Sequence, residues 1–196
     1  PASLHMERII NMEEFTPDFS AAETISFGMG PSRPPSEAYS LLIRITRGCP
    51  WHRCEFCSSH RTMKFGLRSV EEIKRDIKTA KEISEKIKES SWRLGYGDRV
   101  KEAAASVYGN PPNESFRNVA LWLYSGGKTA FLQDADSLIM KTPQLVDVLK
   151  FLCETFPDLA RITSYSRSKT AAGKTLEELK ELHDAGLSRL HVGLES

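Results

Sequence analysis

Strand-like and helix-like segments alternate along this chain, and that order leaves few folds open to it. Short apolar runs typical of β-strands are separated by longer amphipathic runs typical of helices. Strands are predicted over residues 38–48, 129–133, 160–165 and 189–194. Because strand–helix–strand units place their strands in parallel with right-handed crossovers, the order predicts an α/β fold built on a parallel sheet.

The predicted helices begin at recognisable signals. Ser69 with Glu72, and Thr175 with Glu178, have the spacing of a capping box. A proline at position 143 follows Thr142 and indicates another helix start. The inward residues of that helix are expected to be Leu145, Val146, Leu149 and Leu152. The other predicted helices span residues 69–90, 100–107, 114–125 and 175–186, and the second and third of these form an insertion before the second strand.

Polar segments follow all four predicted strands. They are a cysteine-containing loop after the first strand, then "QDADS", "SRSKT" and "ES". The carboxyl ends of parallel strands meet at one edge of a sheet, where ligands of such folds usually bind. The sequence therefore predicts a ligand site at this edge.

The cysteine-containing loop has the sequence "TRGCPWHRCEFCSSHR". Cys49, Cys54 and Cys57 have the spacing C-x4-C-x2-C. Three thiolates without a fourth nearby cysteine suit a 4Fe–4S cluster in which one iron keeps open coordination positions. A structural zinc ion bound by these cysteines and His60 is the alternative. A redox dithiol formed by Cys54 and Cys57 would leave Cys49 without a role.

Composition excludes several classes of partner. The chain has 27 basic and 26 acidic side chains, so no overall charge favours nucleic acid or an anionic membrane. No apolar run approaches the length of a transmembrane helix, and no signal-peptide pattern begins the sequence. A cysteine cluster in such a chain points to metal binding or catalysis. We therefore expect a cytoplasmic protein without membrane or nucleic-acid partners.

The cysteine loop resembles that of the radical S-adenosylmethionine (radical SAM) superfamily, in which an aromatic residue precedes the last cysteine. Phe56 stands at this place. The segments "RPPSEAYSLLIRITRGCPWHRCEFC", "FLQDADSL", "ITSYSRSKT" and "AGLSRLHVGLES" look like an uncharacterised subgroup in which the longer C-x4-C spacing is usual. The resemblance covers residues 33–196 and implies a partial (β/α) barrel, of which the first four strands are present. It implies an N-terminal extension (1–38), a core domain (39–196) and a chain that is an N-terminal fragment.

The resemblance also implies a chemistry and a set of contacts. A reduced cluster would pass one electron to S-adenosylmethionine, giving methionine and a 5′-deoxyadenosyl radical that abstracts a substrate hydrogen. An electron donor such as flavodoxin or ferredoxin would be a partner, and the substrate, small molecule or other, stays unknown. No catalytic acid, base or radical relay is assigned. The implied cofactor contacts are Phe56, Gln133, Asp134, Asp136, Ser164, Tyr165, Ser166, Arg167 and Glu195, with Asp134 or Asp136 on the amino group.

Overall fold

The computed structural model describes residues 24–60 and 63–194. Within these ranges the strands are β1 (Leu41–Arg44), β2 (Thr46–Arg47), β3 (Gly66–Leu67), β4 (Thr129–Gln133), β5 (Arg161–Arg167) and β6 (Leu187–Gly193). The helices are α1 (Val70–Arg93), α2 (Val100–Gly109), α3 (Glu114–Tyr124), α4 (Thr142–Thr155), α5 (Ser168–Ala172) and α6 (Leu176–Asp184). Short 3₁₀ turns cover Pro35–Glu37 and Ser137–Ile139.

Four of the strands form one sheet in the spatial order β1-β4-β5-β6. Each strand of this sheet runs parallel to its neighbour. The prediction of an α/β fold with a mostly parallel sheet is therefore confirmed. Strands that follow one another along the chain are also neighbours in space, as expected when every crossover returns on the same side of the sheet.

The hydrophobic core lies between the sheet and the helices. α1 carries an apolar stripe that is fully buried and packs with apolar residues of the sheet such as Ile43 and Leu132; the stripe consists of Ile73, Ile77, Ala80, Ile83 and Ile87. Both predicted capping boxes are present, so α1 and α6 begin where the sequence indicates. In α4, Val146 is only partly buried, and Val148 takes the fully buried position between Leu145 and Leu149.

The first predicted strand, residues 38–48, is two strands in the structure. The backbone N–H of Ile45 still bonds to the carbonyl of Gln133, after which the chain leaves the sheet. Thr46–Arg47 then pairs antiparallel with Gly66–Leu67. The sequence does not indicate where the chain changes its pairing partner from β4 to β3, because the backbone is extended in both strands. The prediction also missed α5, whose polar sequence "SKTAA" is typical of a loop.

The helical insertion covers the open edge of β1. Asn118 on α3 accepts a hydrogen bond from the backbone N–H of Leu42 and donates one to the carbonyl of Ser40, both at 3.1 Å. Ser115 makes the same pair of contacts with the N–H and carbonyl of Phe27. Asn118 thus takes the place of a neighbouring strand for the N–H of Leu42 and the carbonyl of Ser40, and Ser115 does the same for Phe27.

The described part of the predicted N-terminal extension, residues 24–38, packs against the sheet. Phe27 belongs to the hydrophobic core. Glu37 is fully buried and accepts hydrogen bonds from Ser40 and Arg161. Across the described ranges, no helix has both the length and the apolar character required to cross a bilayer.

Replacing Asn118 with alanine tests how far α3 stabilises the edge of β1. The change removes two hydrogen bonds and leaves a buried N–H and a buried carbonyl without partners, which typically costs about 1–3 kcal/mol. Urea unfolding should show this loss for Asn118→Ala. The matched control is Asn110→Ala at an exposed position after α2. Equal unfolding midpoints for the two variants would contradict the role assigned to Asn118.

Candidate functional site at the carboxyl edge of the sheet

The cysteine loop leaves the carboxyl edge of the sheet and is fixed at both ends. The β2–β3 ladder closes it, and Arg68 just after β3 donates a backbone hydrogen bond to Ile45. Gly48 has a φ of +67° and lies so close to the carbonyl of Met63 that a Cβ atom would collide with it. This backbone conformation and this close contact both require glycine at the position before Cys49.

The three clustered cysteines line one cavity. Cys49, Cys54 and Cys57 are each half-buried, and His52 and His60 complete the wall. All four cysteines of the chain lie in the described ranges, and none of them forms a disulfide. The space between the side chains is small, about 20 Å³, which is close to the room needed by one water molecule.

These cysteines do not converge on a single point. Among the described residues, no three His, Cys, Asp or Glu side chains are placed to hold one metal ion. A tetrahedral zinc site would bring its thiolate sulfurs to within about 3.8 Å of one another, because each Zn–S bond is about 2.3 Å long. The cysteines share a cavity without forming such a set.

His60 forms the inner wall of this cavity. It is only 6% exposed, and its Nε2 lies 3.3 Å from the hydroxyl of Ser32. Its Nδ1 is buried and has no hydrogen-bond partner among the described residues. Burial lowers the pKa of His60, and the negative charge of Asp134 opposes that shift.

Asp134 follows β4 and is held in a buried ion pair with Arg44. The guanidinium donates to the Oδ2 atom from Nε at 3.0 Å and from Nη2 at 2.8 Å. The backbone N–H of Gly48 donates to the same oxygen at 3.0 Å. Asp134 therefore fixes the residue that precedes the first clustered cysteine.

The other carboxylate oxygen of Asp134, Oδ1, is packed against Gly30. It has no hydrogen-bond partner among the described residues. A Cβ atom at Gly30 would overlap this oxygen. Gln133, which precedes Asp134, bonds through its side-chain amide to the backbone of Gly30 and Ser32. In this structure Gln133 therefore bonds to residues 30–32, whereas Asp134 only packs against Gly30.

Asp136 lies in a different environment two residues later. It is fully buried, and its carboxylate accepts hydrogen bonds from the hydroxyl of Ser166 at 3.3 Å and that of Thr170 at 2.5 Å. Burial raises the pKa of Asp136, although hydrogen bonds from Thr170, Arg167 and Ser166 oppose the shift. The carboxylate links β4 to β5 and to α5.

Arg167 at the end of β5 reaches the cysteine loop. Its guanidinium carbon lies 4.6 Å from the ring centre of Trp51, a cation–π contact. Arg53 lies over the same ring at 5.1 Å. The ends of β1, β4 and β5 are therefore linked at one edge by Arg44–Asp134, Asp136–Ser166 and Trp51–Arg167.

The other residues that were predicted to contact the cofactor are not among these linked residues at the carboxyl edge. Ser164 is fully buried and donates its hydroxyl to the carbonyl of Tyr165. The ring of Tyr165 packs edge-on against Phe131 at 5.0 Å, and burial raises the pKa of its phenol. Phe56 is 84% exposed. Glu195 lies outside the described residues.

Three residues of this edge were missed by the sequence analysis. Arg44 is the charged residue within an apolar strand. A charged side chain in such a run could have indicated the ion pair that it forms with Asp134. Trp51 lies within the cysteine motif itself. Ser32 gave no sequence signal, since only the fold brings it to His60.

Comparison of the chain with models of protein families, with curated proteins and with solved structures found no match.

Gly30 offers a direct test of the packing around Asp134. Gly30→Ala places a methyl group against a carboxylate that Arg44 and Gly48 hold in place, so it should destabilise the fold by about 1–3 kcal/mol. Gly28→Ala is the matched control, because the nearest atom to its added Cβ is 4.0 Å away. Chemical denaturation of both variants measures the difference. Similar losses from the two substitutions would argue against a tightly held Asp134.

Asp136 should lower stability at neutral pH, because burial raises its pKa in the folded state. Between the unfolded and folded pKa values the unfolded state binds fewer protons, so stability falls as pH rises through this window. Asp136→Asn should therefore be more stable than the parent at pH 7, and the gap should close at acidic pH. The exposed change Asp158→Asn is the control. A parent more stable than Asp136→Asn at pH 7 would refute this account.

Proposed function

We propose that this chain is part of a radical SAM enzyme that binds a 4Fe–4S cluster through Cys49, Cys54 and Cys57. The observation that carries the proposal is the shared cavity of the three thiols, on the loop that leaves the carboxyl edge of a parallel sheet. At the same edge lie the polar ends of the two neighbouring strands. The resemblance of the cysteine motif to the superfamily points to the same function.

The donor set fits a cluster better than a single ion. In a 4Fe–4S cluster each cysteine binds a different iron, so the thiolates surround a bulky group and do not meet at a point. The three half-buried thiols that line the cavity would be the ligands of three different irons. The space between the thiols is smaller than a 4Fe–4S core, so the loop between Gly48 and His60, which contains no helix or strand, would have to move outward to admit a cluster.

The sheet is compatible with the first part of a (β/α) barrel. Its four strands follow in sequential order, without the reversal that marks a doubly wound fold. Phe131, Tyr165 and His191 pack together on the face opposite the helix-covered core. In a barrel this face would be the interior, and a substrate would enter from the carboxyl edge.

When bound, the cluster would supply the electron that cleaves S-adenosylmethionine to methionine and a 5′-deoxyadenosyl radical. The chain's own residues would bind and orient the cofactor. Asp136 is the better candidate for the amino group, because Asp134 is already paired with Arg44. Asp134 is proposed to position the cysteine loop through Gly48. Arg167, which lies against Trp51, would contact the carboxylate of the cofactor beside the loop.

A structural zinc site remains the second candidate function. The observation in its favour is that His60 lines the cavity and has an unpartnered Nδ1 atom among the described residues. A Cys₃His site would need the three thiols and this nitrogen to close on one ion. The chain would then be a binding or scaffold module without catalysis.

The proposed chemistry also defines a setting. Reduction of the cluster requires a one-electron donor, such as flavodoxin or ferredoxin, and free thiols persist in a reducing compartment such as the cytoplasm. The substrate class is left open, since strand order and cysteine spacing do not define it.

Metal analysis after anaerobic purification separates the two functions. We expect about four irons and four sulfides per chain, with a broad absorption band near 400 nm that bleaches on reduction. Alanine at Cys49, Cys54 or Cys57 should remove this band, whereas Cys153→Ala should retain it, because Cys153 lies on α4 and contacts the carbonyl of Ala185, outside the cysteine loop. A colourless protein with one zinc per chain would reject the cluster.

Reductive cleavage is the second part of this experiment. The reduced protein should slowly convert S-adenosylmethionine to 5′-deoxyadenosine, detected by chromatography. Asp136→Asn should weaken cofactor binding while the absorption of the cluster stays unchanged. Unchanged binding in this variant would remove Asp136 from the cofactor site.

A further inference from the structure

His60 has two ring nitrogens in different surroundings. Nε2 lies 3.3 Å from the hydroxyl of Ser32, in the segment that packs against Gln133. Nδ1 is buried and has no partner among the described residues, although the ring lines the same cavity as the cysteines. A buried ring nitrogen without a partner is costly, so a bound group is expected to satisfy it.

The chemistry of the cavity decides which nitrogen carries the proton. Apart from the two histidines, the side chains that line this cavity are thiols, and thiolates or cluster sulfides are hydrogen-bond acceptors. If Nδ1 carried no proton, its lone pair would face these acceptors, and two acceptors cannot form a hydrogen bond with each other. The hydroxyl of Ser32 can instead donate to Nε2, which leaves the proton of the neutral ring on Nδ1.

On the basis of the proposed cluster, we propose that His60 donates a hydrogen bond from Nδ1 to a sulfur of the cluster or of its cysteine ligands. Ser32 holds the ring in the required tautomer. His60 is then a positioning and tuning residue and not a metal ligand.

Such a hydrogen bond changes the reduction potential. The reduced cluster carries one more negative charge than the oxidised cluster, so an N–H donor stabilises the reduced form more. His60 should therefore raise the potential and make the cluster easier to reduce. Loss of the donor should shift the potential to a more negative value.

The test is a redox titration of the anaerobically purified chain, followed by absorption and electron paramagnetic resonance. His60→Leu should retain the cluster and shift its midpoint potential to a more negative value. His60→Asn should keep the midpoint potential close to that of the unsubstituted chain, because the amide nitrogen of asparagine can take the place of Nδ1. Ser32→Ala should give a smaller shift, since the ring is kept but its tautomer is no longer fixed. His183→Leu is the control, at an exposed side chain on α6.

The outcomes separate this inference from the proposed function. A cluster of unchanged potential in His60→Leu would overturn the role of His60 and leave the radical SAM proposal intact. Loss of iron in both His60→Leu and His60→Asn, but not in His183→Leu, would make His60 a ligand and also overturn the hydrogen-bond assignment. One zinc and no iron in the unsubstituted chain would reject the proposed function itself. Circular dichroism of each variant shows whether a loss of iron reflects a loss of folding.

Discussion

The buried ion pair between Arg44 and Asp134 is the contact on which the rest of the carboxyl edge depends. Arg44 uses its other hydrogen bonds on the carbonyls of Met29 and Thr46. Its partner carboxylate holds the N–H of Gly48. A buried charge is tolerated only when its partners are in place, so removal of either member would leave the other uncompensated. One pair thus joins the end of β1, the end of β4, the start of the cysteine loop and the N-terminal segment.

Two aspartates only two residues apart have different environments because of this pair. Asp134 faces a guanidinium, which stabilises its charge. Asp136 is buried among hydroxyl groups, and the pKa of its carboxyl group is raised. The same residue type is therefore ion-paired at position 134 and bonded to hydroxyl groups at position 136, and the difference comes from neighbours on other elements.

The N-terminal segment forms part of the candidate site as well as part of the fold. Gly30 packs against Asp134, and Ser32 contacts His60. The predicted boundary at residue 38 separates this segment from the core in sequence, but the contacts of Gln133 join them in space. Residues 30–32 are therefore linked to the cysteine loop by Ser32 with His60, and by Gly30 through Asp134 to Gly48.

The sequence by itself determined the order of the main strands and helices, because apolar periodicity and capping boxes act over a few neighbouring residues. It also indicated the cysteine loop and the edge at which polar groups gather. Only the tertiary structure decided the partners: Arg44 for Asp134, hydroxyl groups for Asp136, Trp51 for Arg167 and Ser32 for His60. These contacts join residues 28 to 116 positions apart, or change with the register of a neighbouring strand. No local pattern encodes them, since they depend on which side chains the folded sheet brings into one buried space.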